Sequence, residues 1–384
     1  MACLLAASAT HAHVLSAGFA HTCTIDAGGG VQCWGYNGNG QLGDGSTDSP
    51  RTLPVRATNL DSGIVAVAAT SRERSCALRG NGEVLCWGAN GAGELGDGTT
   101  IDRLIPTPVN GLGPGSGVTM IALGFNHACA LRSDGAVLCW GNNSSGQLGT
   151  GTTSNVPVPT THVFGLGAGS GTVAIAAGET HTCALKTDQS VYCWGGNGDG
   201  ALGDGTTIDH VVPLPVATLG AGSGAVDISA GRNYSCATRN EGSLLCWGRN
   251  SYGQLGDGTT TTALLPKLIL GTGGGAIEVS GMYNHTCART GAGVLCWGTN
   301  TDGQLGDGSI STDHYSPVAV QTLGADMAAA AGAYHSCARK SSGTVLCWGG
   351  DFGGQLGIGE LSRGSVVPVV VKLNDPPIFR NGFD

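Results

Sequence analysis

The chain has 384 residues, of which 69 are Gly, and its 18 Lys and Arg against 27 Asp and Glu give a formal net charge of −9. With 41 % hydrophobic residues and no three-residue Gly register, the sequence is neither a disordered chain nor a collagen. The acidic balance disfavours partners that bind through phosphates, so we expect no nucleic acid partner.

The tryptophans mark an internal repeat that runs along the chain. Each unit holds short apolar runs rich in Val, Ile, Thr and Cys, separated by Gly, Asn, Asp and Pro, which is typical of strands and turns. A period near 50 residues with about four strands is typical of a propeller blade, so the sequence predicts an all-β, seven-bladed β-propeller. The seven tryptophans, each within Cys-Trp-Gly, are Trp34, Trp87, Trp140, Trp194, Trp247, Trp297 and Trp348.

The repeats define one domain with short extensions. Residues 1–12 are expected to be a leader or the remnant of a signal peptide, because a short apolar run precedes a small-x-small site. Residues 374–384 form a C-terminal tail outside the repeat. No run of 18 apolar residues occurs, so we expect no membrane span. The propeller covers 13–373, with units near 13–57, 63–109, 117–160, 171–217, 224–269, 275–320 and 326–372.

Two motifs in each unit carry a family resemblance. The third unit reads Gly124-Phe125-Asn126-His127, then Trp140-Gly141-Asn142 and Gly146-Gln147-Leu148-Gly149. This pattern resembles the regulator of chromosome condensation repeat, in a bacterial, cysteine-rich member of that family. The resemblance implies a seven-bladed propeller without an active site of its own, so we expect no enzymatic activity and no cofactor. Unit two departs from the pattern with Ser71-Arg72-Glu73-Arg74, and unit five has Tyr234 in the His position.

Cysteine occurs twice in every unit, nine or ten residues apart. Each pair brackets a turn signal such as Asn81-Gly82, so folding the hairpin at its midpoint places the two cysteines opposite each other, within reach of a disulfide. We predict disulfides rather than buried thiols, because a cysteine recurs at both cross-strand positions in all seven units. We do not expect Cys2His metal sites, since units two and five keep both cysteines without the His. The pairs are Cys23 with Cys33, Cys76 with Cys86, Cys129 with Cys139, Cys183 with Cys193, Cys236 with Cys246, Cys287 with Cys296, and Cys337 with Cys347.

Seven disulfides imply an oxidising compartment. We therefore expect an extracellular, periplasmic or cell-surface protein of a bacterium. Cys3, the fifteenth cysteine, lies in the expected leader and has no partner in the repeat.

Two repeated motifs suggest chemistry but have structural explanations. The Asp of Leu-Gly-Asp-Gly suggests calcium, yet calcium β-helix repeats recur every nine residues, so the motif is interpreted as an Asp-Gly turn. The repeat histidines are interpreted as residues that hold a loop by hydrogen bonds, since equivalent copies around a ring do not converge on one substrate. We expect no metal site. The aspartates are Asp44, Asp97, Asp204, Asp257 and Asp307, and the histidines are His21, His127, His181, His285 and His335.

The positions that differ between units predict a binding face. Equivalent loops lie on one face of a propeller, and Phe, Tyr and Arg are enriched at protein interfaces. The alternative is that these aromatics cover blade edges as ordinary packing. The Gly-x-x-His turns contribute Phe19, Arg72, Phe125, Glu179, Arg232, Tyr283 and Tyr334. The loops after Trp-Gly contribute Tyr36, Arg249, Tyr252 and Phe352.

These features predict an exported, monomeric, non-enzymatic propeller that binds another protein through loops on one face. The logic is similar to that of bacterial β-lactamase-inhibitor members of the family. The alternative is a guanine nucleotide exchange factor for a small GTPase, as in the eukaryotic namesake. The near-constant spacing of the units leaves no inserted wedge between blades, and disulfides are not expected in the cytosol.

Overall fold

Short strands separated by Gly-rich turns build seven antiparallel sheets in the computed structural model. The structure describes residues 14–70, 72–273, 275–324 and 327–373. The expected leader, Cys3 and the C-terminal tail lie outside these residues. Within them all the regular elements are strands, and each sheet is one repeat, so the predicted seven-bladed β-propeller is confirmed.

Strands follow chain order from the axis outward in each blade. Blades 1 to 3 comprise β1 (Leu15–Ala17), β2 (His21–Ile25), β3 (Val31–Gly35), β4 (Arg51–Arg56), β5 (Ile64–Ala69), β6 (Arg74–Arg79), β7 (Val84–Gly88), β8 (Arg103–Pro108), β9 (Val118–Leu123), β10 (His127–Arg132) and β11 (Val137–Gly141). Blades 4 and 5 comprise β12 (Thr172–Ala177), β13 (His181–Lys186), β14 (Val191–Gly195), β15 (His210–Pro215), β16 (Ala225–Ala230), β17 (Tyr234–Arg239), β18 (Leu244–Gly248) and β19 (Ala263–Leu268). Blades 6 and 7 comprise β20 (Ala276–Gly281), β21 (His285–Thr290), β22 (Gly293–Gly298), β23 (His314–Ala319), β24 (Met327–Ala331), β25 (His335–Lys340), β26 (Val345–Gly349) and β27 (Ser365–Val370).

Blade 3 differs from the expected four strands. Its outer segment pairs with β11 at two isolated bridges only, Gly141 with Val156 and Leu138 with His162. Val156 and His162 are six positions apart, opposite partners three positions apart in β11. In blade 2 the equivalent Arg103 and Pro108 are five positions apart, also opposite partners three positions apart. The extra residue interrupts the ladder, and blade 3 keeps three strands.

The second and third strands of each blade carry the predicted disulfides. In blade 3, Cys129 pairs directly with Cys139 in the strand register, with Cα atoms 4.1 Å apart. All seven predicted pairs are bonded, and all fourteen cysteines are buried. The hairpin register of the sequence repeat therefore predicted the pairing.

The contact between neighbouring blades, here called a seam, is held by the tryptophans. In the seam between blades 3 and 4, Trp194 Nε1 donates to Gln147 O at 2.9 Å, and Thr182 Oγ1 donates to the same carbonyl at 2.9 Å. The equivalent indole bond is present in all seven seams, and every indole is fully buried. Burial on both faces explains why the Val-Leu-Cys-Trp strand shows no alternation.

The ring closes between blades 7 and 1 by the same contacts. Trp34 Nε1 donates to Gln355 O at 2.8 Å, and Thr22 Oγ1 donates to that carbonyl at 3.2 Å. Among the described residues each sheet is made from consecutive strands, so none is shared across this seam.

Candidate partner-binding face

Both variable loops of each blade leave the sheet at the same end. The first residue of each second strand pairs with the last residue of the third, as His21 does with Gly35. The backbones of the two loops also touch, since Tyr36 N donates to Ala20 O at 2.8 Å. We call this end the upper face, the loops between first and second strands the inner loops, and those between third and fourth strands the outer loops.

Backbone hydrogen bonds join several inner loops around the axis. Phe19 N donates to Thr70 O, and Phe125 N donates to Gly178 O, each at 3.1 Å. Across the closing seam Ala333 N donates to Gly18 O at 3.0 Å. The inner loops are therefore ordered by the ring itself.

The repeat histidines lie beneath the inner loops and hold them by hydrogen bonds to the next blade. His181 Nε2 lies 2.8 Å from Ser235 Oγ of the next blade, and Ser235 Oγ donates its only proton to Ala201 O. The imidazole must therefore be the donor, so the proton is on Nε2. The other four histidines contact a Ser or Thr hydroxyl of the next blade in the same way. They are structural, as interpreted, but they join blade to blade rather than only holding a loop.

The histidines are buried and neutral. Burial lowers the pKa of His181 to about 4 and that of His285 to about 3. His127 lies against Gly124, where a Cβ atom would come within 2.1 Å of His127 Cε1. This close approach favours glycine at the first position of the Gly-x-x-His motif, although unit six has Met282 there.

In the two units without the histidine, a different side chain forms the hydrogen bond to the next blade. Arg74 is fully buried and donates to three carbonyls of blade 3, those of Gly124, Phe125 and His127, at 2.7 to 3.0 Å. The facing residue is Ala128, which has no hydroxyl to offer a histidine. In unit five, the Tyr234 hydroxyl donates to His285 O at 2.8 Å. Sequence reasoning identified both departures but not their partners, because those lie one repeat further along the chain.

Four aromatic side chains from blades 1, 6 and 7 form one cluster on the upper face. Phe19 packs edge-on against Tyr334, with ring centroids 4.9 Å apart, and Tyr334 packs against Phe352 at 5.3 Å. Phe19 also reaches Tyr283 at 6.4 Å. We call Phe19, Tyr283, Tyr334 and Phe352 the aromatic cluster. Phe352 is 55 % exposed and the other three are half-buried, so the cluster presents apolar surface to solvent.

The cluster forms because blade 7 has a small side chain at the key position. Ala333 is equivalent to Phe19 and Tyr283, and it is buried. With only a methyl group between them, the rings of blades 1 and 6 meet across blade 7. Comparing the units one position at a time did not predict this contact, because it depends on the small size of a neighbouring side chain.

Arg232 extends the aromatic cluster toward blade 4. Its guanidinium lies 4.5 Å from the Tyr283 ring centroid and donates to the Tyr283 hydroxyl at 2.9 Å. It also donates to Glu179 at 2.8 Å. Burial opposes its charge, but the hydrogen bond and charge of Glu179 outweigh burial and raise the pKa of Arg232. Three predicted residues thus form one ordered unit.

A separate pair occupies blades 2 and 3. The Arg72 guanidinium lies 4.6 Å from the ring centroid of Phe125. Arg74 holds the backbone of Phe125 from beneath, so the unusual unit-two loop places one arginine on each side of this residue. The predicted inner-loop residues therefore form two groups, and among the described residues no ring contact, ion pair or side-chain hydrogen bond links one group to the other.

The outer-loop residues lie on the same face but outside the aromatic cluster, except for Phe352. Tyr36 and Tyr252 are each 37 % exposed, and Arg249 lies 5.9 Å from the ring centroid of Tyr252. Outer loops also contact the inner loop of the next blade. Asn233 Nδ2, in the inner loop of blade 5, donates to Asp199 Oδ2, in the outer loop of blade 4, at 3.0 Å. The two families of loops are continuous across the upper face.

The Leu-Gly-Asp-Gly carboxylates are occupied by their own loops. Asp97 Oδ1 accepts from Thr99 N and Oγ1 at 2.9 and 2.8 Å, and Arg103 Nε donates to Asp97 Oδ2 at 2.7 Å. Burial acts in the opposite direction, but these contacts outweigh it and lower the pKa of Asp97. Within the described ranges, no group of three or more His, Cys, Asp or Glu is arranged to hold a metal ion.

Metal chelation is therefore expected to leave the stability unchanged. The carboxylates already accept hydrogen bonds from turn amides and hydroxyls, so removing a metal would remove no ligand contact. Thermal unfolding with and without EDTA should give the same Tm. A large fall in Tm with EDTA that calcium or zinc restores would contradict the turn interpretation.

An axial cavity of about 150 Å³ lies beneath the inner loops. Its walls are the first strands of the blades and consist mainly of Ala, Ser and Gly. Phe125, Glu179, Arg232 and Tyr283 lie at its upper end. Two carboxylates, Asp227 and Glu278, also line the cavity from the first strands below the inner loops.

A ring of seven repeat blades with Gly-x-x-His and Trp-Gly loops on one face defines a class of repeat propeller. The RCC1-like domain family matches residues 114–381, and the regulator of chromosome condensation (RCC1) repeat matches 28–78 and 81–131, with a second RCC1 repeat family matching 14–41 and 64–94. The chain belongs to the RCC1 family.

Curated relatives share parts of the chain. The ultraviolet-B receptor UVR8 of Arabidopsis thaliana is 33 % identical over 282 residues, which are 73 % of this chain and 63 % of UVR8. The E3 ubiquitin-protein ligase HERC2 of Homo sapiens is 29 % identical over 251 residues, which are 65 % of this chain but 5 % of HERC2. The chain thus spans less than two thirds of either relative.

Solved structures share the fold. Prp20p from Saccharomyces cerevisiae, described with binding properties to Gsp1p and histones, superposes with a TM-score of 0.77 at 20 % identity over 90 % of this chain and 86 % of that chain. Human WBSCR16 superposes with a TM-score of 0.75 at 22 % identity over 88 % of this chain and 93 % of that chain. Both likenesses are of the fold.

Proposed function

We propose that this propeller is a non-enzymatic scaffold that binds another protein through its upper face. The observation that carries the proposal is the aromatic cluster with Arg232 at its edge. Clustered Tyr, Phe and Arg side chains are the usual centres of protein interfaces, and an exposed apolar cluster has a solvation cost when it is left unused. Prp20p, which shares the fold, is described with protein partners, which supports the same use of this architecture.

The rigid frame also favours binding. Disulfides, seam hydrogen bonds and the backbone contacts between inner loops hold the aromatic side chains in place before a partner arrives. A preorganised surface loses less conformational entropy on association than a flexible one. The frame therefore supports a binding role without any catalytic group.

We propose further that the protein is exported. Seven disulfide pairs fit an extracellular or other oxidising environment. In the part of the chain that the structure describes, no helix is long and apolar enough to cross a membrane. Alkylation without reductant, applied to protein taken from its own compartment, should modify no more than one cysteine. Fourteen modified cysteines would contradict export and the bridges together.

The binding proposal predicts a separation of affinity from stability. Phe19→Ala and Tyr283→Ala are expected to weaken partner binding by about 2 kcal/mol or more each, which is the usual cost of truncating an interface anchor. Each change removes ring contacts worth about 1 kcal/mol. Tyr283→Ala also removes the contacts of its ring and hydroxyl with Arg232, but these lie at the partly exposed surface, so Tm should fall only slightly in both variants. The experiment captures a partner from the native compartment, identifies it, and then measures its Kd for each variant.

Two matched variants complete the test. Trp140→Ala removes a fully buried indole and should cost about 3 to 5 kcal/mol of folding stability, which defines the effect of a core residue. Tyr252→Ala, in an outer loop away from the aromatic cluster, reports whether that loop shares the site. If Phe19→Ala and Tyr283→Ala destabilise the protein as much as Trp140→Ala does, the aromatics are packing residues and the proposal fails.

A further inference from the structure

The charges of the propeller are distributed unequally between its two ends. The seven outer loops on the upper face contain fourteen Asp and Glu residues and two arginines, Arg249 and Arg363. The charged inner-loop residues balance one another, with Arg72 and Arg232 against Glu73 and Glu179. The upper face is therefore the acidic end of the molecule.

The lower end of the propeller, opposite the upper face, carries more basic residues. Five of the seven second strands end there on a basic residue, and these residues are Arg79, Arg132, Lys186, Arg239 and Lys340. Lower-end carboxylates are paired with such residues, as Glu83 is with Arg79 at 3.3 Å and Asp134 is with Arg132 at 3.8 Å. The acidic charge of the lower end is therefore offset locally.

Several acidic residues of the upper face have no such counter-charge. Three of the Leu-Gly-Asp-Gly carboxylates pair with an arginine or lysine of the fourth strand, as Asp97 does with Arg103. The other two lie beside His210 and His314. In contrast, Asp199, Asp302 and Glu360 take part in no ion pair within the described ranges. Asp302 also lies close enough to the aromatic cluster to contribute to a raised pKa of Tyr334, after the larger effects of burial and Tyr283.

We propose that the partner bound at the upper face is a protein whose docking surface is positively charged. This inference rests on the proposed function and names the chemistry of its partner. Apolar contact with the aromatic cluster would supply the centre of the interface, and the surrounding carboxylates would attract a basic surface and disfavour an acidic one. Complementary charge raises the association rate by about 10- to 1000-fold and makes that rate depend on salt.

A pair of triple variants tests the charge of the face. The upper triple is Asp199→Asn with Asp302→Asn and Glu360→Gln. The lower triple is Asp61→Asn with Asp134→Asn and Glu241→Gln. Both triples raise the net charge by the same amount, so a general effect of charge changes both alike, whereas an effect of the upper face changes only the first.

The probe is a dye-labelled peptide of ten lysines, with a peptide of ten glutamates as its control, measured by fluorescence anisotropy at low salt. The unchanged protein should bind the lysine peptide and not the glutamate peptide. The upper triple should weaken lysine-peptide binding about tenfold, and the lower triple less than about twofold. Equal effects of the two triples, or no binding of the lysine peptide to the unchanged protein, would overturn the inference.

The partner captured for the binding test provides the second measurement. Its association rate should fall as ionic strength rises and should fall about tenfold in the upper triple alone. If Phe19→Ala abolishes capture while both triples associate as fast as the unchanged protein, the proposed function stands and the charge inference is wrong. If Phe19→Ala and Tyr283→Ala leave capture unchanged, the proposed function itself fails.

Discussion

Lowering the pH from 7 to 5 is expected to destabilise the folded propeller by several kcal/mol, because five buried histidines must remain neutral. Burial lowers the pKa of His21 and His181 to about 4, and that of His127, His285 and His335 to about 3. An unfolded histidine has a pKa near 6.5. Between about pH 6 and pH 4 the unfolded chain therefore binds up to five more protons than the folded chain. Each of these extra protons lowers the free energy of unfolding by about 1.4 kcal/mol for every unit by which the pH falls.

The direction of the effect separates it from that of the carboxylates. Above about pH 6.5 the histidines are neutral in both states and contribute no pH dependence. The lowered pKa of Asp44 and Asp97 gives stability that is lost only as the pH falls through and below about 4. Between these limits the histidines account for most of the change.

Urea unfolding at pH 7, 6 and 5 measures the proton uptake. His181→Gln is a matched variant, because its side-chain amide can still donate to Ser235 Oγ and does not titrate in this range, and it should lower the uptake by one proton. The His210 side chain is partly exposed, so His210→Gln is the control that should change the uptake little. A free energy of unfolding that stays constant from pH 7 to pH 5 would contradict the buried neutral imidazoles.

Full reduction of the seven disulfides is expected to prevent the propeller from refolding. Each bridge joins residues nine or ten positions apart and contributes about 2 to 4 kcal/mol in the chain-entropy model. Seven such contributions together match or exceed the total stability of a typical domain, about 5 to 15 kcal/mol. The reduced chain must therefore fold without a stabilisation as large as its whole margin.

Because the sulfur atoms are buried, the reduction must be carried out on the unfolded chain. Protein unfolded in urea is diluted with and without reductant, and the fluorescence of the seven buried tryptophans reports refolding. The unreduced sample should recover its native spectrum. The double variant Cys129→Ala with Cys139→Ala should lie between the two samples, losing about 2 to 4 kcal/mol. A reduced chain that regains the native spectrum and urea midpoint would show that packing alone suffices.

The sequence was sufficient for features that repeat within one unit. The spacing of the tryptophans predicted seven blades, and the turn between Cys129 and Cys139 predicted their pairing, since both follow from local strand register. Features that join units were harder to predict. Thr182 follows the next unit's histidine by one residue, but nothing in its own unit shows that it faces His127 across the seam.

The binding face was predictable in composition but not in arrangement. The variable loops indicated Phe19 and Tyr283, yet their contact depends on the small side chain of Ala333 between them. Likewise, Arg74 was recognised as a departure from the repeat, while its role in holding the Phe125 loop required the position of three carbonyls in the next blade. Such contacts depend on the curvature of the ring, which no single unit encodes.

Because no described strand is shared across the closing seam, the number and order of blades can change during evolution. Because each described sheet is one continuous stretch of sequence, recombination between repeats in the gene would add, delete or exchange an intact blade. Only the side chains that cross its two seams would then have to match their new neighbours. Arg74 and Ala128 form such a matched pair, so exchanging one of these two blades without the other would place an arginine against a hydroxyl, or a histidine against a methyl group.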